Sequence, residues 1–215
     1  MAIKPILFNT EMVRAILDGR KSCTRRICKD ANEYTVPDMD FYNADRRTYA
    51  VHNFADKKHT EQLSIAERTC PICPGDVLYI RETWMDYAGL TMYKADCDIY
   101  RLDSLNFAGF GWIPSIHMPK EAARIWLKVM NVRVERLQEI TDEQAKREGI
   151  QYDECPTGFT WKQETDMHNC YTTQIGAMQA LWNSTIKKSD LDRYGWDASP
   201  WVWVIEFERC EKLEE

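Results

Sequence analysis

The chain has 215 residues, of which 44% are apolar and 12% aromatic, and a formal net charge of -6. That length suits one domain, or a small domain carrying long insertions. The acidic balance argues against a protein that coats duplex nucleic acid by charge alone, so tight duplex DNA binding is not expected.

No run approaches the ~20 apolar residues of a membrane span, so none is expected. The opening MAIKPILFNTE turns polar too soon for an export signal. Eight scattered cysteines, at positions 23, 28, 70, 73, 97, 155, 170 and 210, then read as reduced thiols of a cytoplasmic protein.

In chain order, FNTEMVRAILDGRK predicts a helix. Asn9 or Thr10 suits the N-cap and Glu11 the first turn. Met12, Val13, Ile16 and Leu17 form its apolar face, and Gly19 ends it. The next residues concentrate charge: in GRKSCTRR, Arg20, Lys21, Arg25 and Arg26 surround Ser22, Cys23 and Thr24. Arg20 and Lys21 sit where a helix dipole favours cations, and Thr24 suits a strand by propensity.

Residues 30–68 are polar, with Pro37 and many aspartates, and read as a long loop. PGDVLYIRETW is a turn and a strand, and LTMYKA is a second short strand. Residues 97–120 read as loop. RIWLKVMNVRVERL is a long strand whose apolar phase switches near Met130 or Asn131, which predicts a bulge there. Thr141 and Gln144 form a capping box, and Gly149 stops the helix that follows. Residues 150–170 look irregular. TTQIGAMQALWNSTIKK is a helix with Ile175, Met178, Leu181 and Trp182 on one face, and PWVWVIEFERC is a final strand. The sum is an α+β fold with a small curled sheet or barrel closed by helices.

Two further groups of residues carry chemistry. Cys70 and Cys73 form a CxxC, with Cys97, Cys155, His168 and Cys170 as further candidate ligands. The spacings are irregular, so a redox pair or buried thiols compete with zinc, and no stoichiometric metal is expected. Trp84 and His117, with Arg81 and Glu82, have the types that line a base pocket, Glu82 as acceptor for a cytosine amino group. Trp182, Trp201 and Trp203 are assigned to the core.

ILDGRKSCTRR, PGDVLYIRETW, RLQEITDEQAKREGI and PWVWVIEFERC together resemble the ASCH domain, a branch of the PUA-like β-barrel superfamily. With WIPSIHMP added, the pattern is similar to the longer ASCH proteins of bacteriophages and prophages. The resemblance implies one curled β-barrel domain over 1–215, with insertions at about 30–68, 97–120 and 150–195, in a bacterial host cytoplasm. It also implies kinship with small bacterial amidohydrolases that remove the acyl group of N4-acetylcytidine. Their pattern maps onto Lys21, Thr24 and Glu148 as catalytic residues, with Arg20, Arg25 and Arg26 beside the substrate and no cofactor. Arg25 stands where those enzymes are expected to have an apolar residue.

The chemistry fits these types. Thr24 supplies a hydroxyl, Lys21 a base beside it, Glu148 a proton carrier, and Arg26 or backbone N–H groups an oxyanion donor. Lys21 and Thr24 meet only if Lys21 lies in the turn before the strand. Two other functions fit the same sequence: a non-catalytic module binding single-stranded RNA or a modified base, and a phage protein that binds a host factor.

Overall fold

A computed structural model describes residues 1–31, 33–87, 89–97, 111–154, 157–161 and 170–212. The fold is α+β, with strands in several sheets and few helices. Its centre is a five-stranded sheet in the order β1-β6-β9-β12-β2. These strands are β1 (Ile3–Leu7), β2 (Cys23–Ile27), β6 (Val77–Arg81), β9 (Trp126–Arg136) and β12 (Trp201–Cys210). β1 runs parallel to β6, and every other pair is antiparallel.

The middle, long and final strands read from the sequence, β6, β9 and β12, therefore share one sheet. Strand-to-strand closure into a barrel is not found among the described residues: the order ends in two edges, β1 and β2. Helix α1 (Thr10–Leu17) carries the chain from one edge to the other. The Arg26 guanidinium of β2 donates to Leu7 O of β1 at 2.8 Å and lies over the Phe8 ring. A side chain, rather than a ladder, spans the gap.

Local signals explain the elements. Asn9 caps α1, its Oδ1 accepting from Met12 N at 2.8 Å, and Met12, Val13, Ala15 and Ile16 are buried. In β9, Asn131 pairs with Glu206 and Val129 with Phe207, which leaves Met130 as the extra residue of a bulge. Thr141 and Gln144 cap helix α2 (Asp142–Arg147) reciprocally. Helix α3 (Gln174–Thr185) is capped by Thr173 and buries Ala177, Met178, Leu181 and Trp182. A short α4 (Leu191–Tyr194) precedes the last strand.

Two loop expectations are corrected. Residues 30–68 hold an antiparallel three-stranded sheet of β3 (Thr35–Asn43), β4 (Thr48–Phe54) and β5 (Gln62–Thr69). β4 buries Tyr49 and Val51 in the main core, Tyr49 edge-on to Trp203 at 4.9 Å between ring centroids. Met39 and Tyr42 of β3 pack against the same core, and this anchoring orders a largely polar segment. Within 150–170, β10 (Gln151–Glu154) pairs with β11 (Thr157–Thr160). β7 (Trp84–Tyr87) and β8 (Leu90–Tyr93) form a further two-stranded sheet. Part of the segment read as loop over 97–120, residues 98–110, lies outside the described residues.

Candidate active site

The site begins where two helices end. After α1, Gly19 adopts φ +75 and turns the chain, and the N–H groups of Arg20 and Lys21 both donate to Ala15 O at 2.9 Å. After α2, Glu148 is the C-cap and Gly149 takes φ +101. Lys21 and Glu148 meet as an antiparallel bridge, and Ser22 N donates to Arg147 O at 2.9 Å. Glycine at 149 is needed twice: a Cβ there would stand 3.0 Å from Ala15 Cβ, and the positive φ disfavours a side chain.

This juxtaposition buries Lys21, Thr24, Arg25 and Glu148 together. Lys21 Nζ donates to Glu148 Oε2 at 2.5 Å and to the Glu148 carbonyl at 2.9 Å. Lys21 does complement a helix C-terminus, but that of α2 rather than of α1. Arg25 donates to the other carboxylate oxygen, Oε1, at 3.1 Å, and also to Glu135 and to Gln144 Oε1.

The pairing continues along the sheet. Arg133 joins Glu135 to Glu206, and Arg147 closes on Glu206. Four cations thus alternate with three carboxylates across the sheet between Lys21 and Arg147. Burial alone would raise the Glu206 carboxyl, but hydrogen bonds from Arg147 and Arg133 hold it below its usual range.

Lys21, Thr24, Arg25, Arg26 and Glu148 line one cavity of about 200 Å³. Its other walls are mostly apolar, from Leu7, Phe8 and Met12 around α1 and from Met178, Leu181 and Trp182 of α3, with Asn9 and Thr185 as the polar exceptions. Charged groups together with apolar walls suit a ligand that has both a polar and an apolar part. Burial lowers the Arg26 guanidinium's hold on its proton, opposed by the Glu148 charge.

The remaining sequence candidates lie elsewhere. Arg20 pairs with Asp18 and donates to Gly149 O, outside the cavity. Arg81 holds the loop carbonyls of Met118 (2.7 Å) and Ile116. Glu82 is buried with both carboxylate oxygens engaged by Arg124, at 2.9 and 3.1 Å, so neither is left as a ready acceptor for a base. Burial pushes its carboxyl up, against the opposing Arg124 charge. Trp84 bridges its backbone to Ile113, and His117 is exposed in a 3-10 turn. None of Arg81, Glu82, Trp84 and His117 lines the cavity with Thr24.

Burial, then the Glu148 charge, push the Cys23 thiol up to about 12, so it stays neutral near pH 7. Cys70 and Cys73 are buried, their Sγ atoms facing the carbonyls of Ile72 (2.9 Å) and Cys70 (3.4 Å). Among the described residues no three His, Cys, Asp or Glu side chains cluster as metal ligands. Cys155 and His168 lie outside those residues.

Sequence reasoning missed Glu135 and Gln144 as holders of Arg25, and the α3 wall. The capping box that places Gln144 is visible in the sequence; its second role, accepting from Arg25, depends on strand register. Comparisons with protein-family models, curated proteins and solved structures found no match for this chain.

Proposed function

We propose that this chain is a PUA-like protein of the ASCH type, of phage or prophage kind, acting in a bacterial cytoplasm as an amidohydrolase on N4-acylated cytidine-type substrates. The observation that carries the reading is the convergence of Lys21, Thr24 and Glu148 on one cavity, with Lys21 and Glu148 paired at 2.5 Å. The curled PUA-like barrel is supported by β6, β9 and β12 sharing one sheet and by Arg26 spanning its edges.

The chemistry runs as acyl transfer. Lys21 must first release a proton to accept one from Thr24, and Glu148 Oε2 is its receiver. The Thr24 oxygen then attacks the acyl carbon while its proton passes to Lys21. Arg26, with a fork of five donor N–H groups of which two contacts are used internally, stabilises the oxyanion. The C–N bond breaks as Glu148 returns a proton to the departing cytosine nitrogen. Water then cleaves the Thr24 ester, giving the carboxylic acid and restoring the hydroxyl.

The test is incubation with N4-acetylcytidine and chromatography for cytidine. Lys21→Ala and Thr24→Ala should each lower turnover by roughly 100-fold or more. The double variant should be little worse than either single one, since the residues act as a unit. Circular dichroism confirms that each stays folded. No turnover of any acylated cytosine would overturn the reading.

A second reading is favoured by one observation: Lys21 Nζ is held by both the carboxylate and the carbonyl of Glu148. Lys21 then serves as a strut in a non-catalytic module for a modified nucleoside or single-stranded RNA. Binding without turnover, weakened by Lys21→Ala, would select it.

A further inference from the structure

A second cavity, of about 340 Å³, adjoins the first, and Arg26 lines both. The register of β2 on β12 shows how they connect. Thr24 stands opposite Ile205 and Arg26 opposite Trp203, so all four side chains share one face of the sheet. Directly opposed residues in such a pair hold their Cβ atoms about 4.5–5.5 Å apart. Ile205 and Trp203, with Ile72 from the loop before β6, are walls of the second cavity. The hydroxyl assigned to attack therefore lies one cross-strand step from an apolar chamber. Apart from Arg26, its charged lining residues are Lys29 and Asp30, of opposite sign, so it makes no demand for a charged ligand.

We propose that this chamber receives the apolar part of the acyl group, so that the preferred substrates carry an aromatic or medium-chain acyl group rather than acetyl. The inference rests on the amidohydrolase reading. An acyl carbon bonded to the Thr24 oxygen projects its substituent along the face toward Ile205. A methyl group leaves most of the chamber unfilled, whereas a phenyl ring displaces water from Ile72, Trp203 and Ile205. In apolar pockets a single methylene discriminates by about 10–200-fold.

The test compares N4-benzoylcytidine with N4-acetylcytidine. In the unaltered protein, kcat/KM for the benzoyl compound should be higher by roughly tenfold or more. Ile72→Trp fills the chamber from its half-buried loop side. It should remove that preference, bringing the ratio of kcat/KM for the two compounds to about one.

Calorimetric binding to Thr24→Ala reads the chamber without turnover: the benzoyl compound should bind tighter, and adding Ile72→Trp should erase the difference. Equal or weaker binding of the benzoyl compound overturns the proposal, even where acetyl is cleaved and the amidohydrolase reading stands. Tighter, Ile72-dependent benzoyl binding with no cleavage of either compound supports the chamber and overturns the amidohydrolase reading instead.

Discussion

Glu148 has one carboxylate and two buried cations, Lys21 on one oxygen and Arg25 on the other. Removing its charge leaves both cations facing each other out of water, and breaking a buried pair typically costs about 3–5 kcal/mol. Glu148→Gln should therefore lower unfolding stability by roughly 3 kcal/mol in urea titration and also impair turnover. Cations that merely complement a helix end would leave such a variant within about 1 kcal/mol of the parent. The three convergent residues were legible because each sits at a recognisable chain signal: a glycine-ended helix, a strand start and a capped helix end. The supports of Arg25 were not. Glu135 and Gln144 look like ordinary solvent-facing residues until strand register brings Glu135 across β12 and α2 lays Gln144 on the same face.

At the scale of elements, the strands differ in what holds them. β12 lies between β9 and β2 and is buried at half of its positions, whereas β5 is exposed at every position but Ala66 and sits at the edge of its sheet beside β4. Hydrogen exchange should thus release β5 amides first and those of β9 and β12 last. Uniform protection of β5 and β12 would contradict this. The same contrast explains the errors over 30–68. A strand solvated on both faces, as β5 is, has no alternation to read, and β4 buries the consecutive residues Tyr49, Ala50 and Val51 rather than alternate ones. β1 escaped notice for a related reason: it has five residues, lies at an edge and contains Pro5, which central strands exclude. The bulge at Met130 and the Thr141 cap were legible because each is a local break in period or a pair at fixed spacing.

Across the whole molecule, buried thiols set an alkaline limit. Burial, helped by neighbouring carboxylates, raises Cys23 to about 12 and Cys28 to about 11, against 9.0 for the free group. The folded state thus holds these protons more tightly than the unfolded chain does. That contribution is complete below about pH 9 and is lost as pH rises through 11 to 12. Guanidinium midpoints should fall between about pH 8 and pH 11, and a Cys23→Ala, Cys28→Ala variant should show a shallower fall.

The strand order also sets a clock on synthesis. β2, which carries Thr24, has one ladder partner among the described strands, β12 at residues 201–210. A ribosome adding ~5–20 residues per second needs about 10–40 s to travel from one to the other. For that interval Thr24 is attached to a chain that has no sheet to place it in, and Lys21 has lost its bearing until Glu148 has also emerged. In a newborn chain the candidate site therefore stays unassembled until the closing strand arrives, and a message cut short before residue 201 yields Lys21, Thr24 and Glu148 without the strand that β2 pairs with.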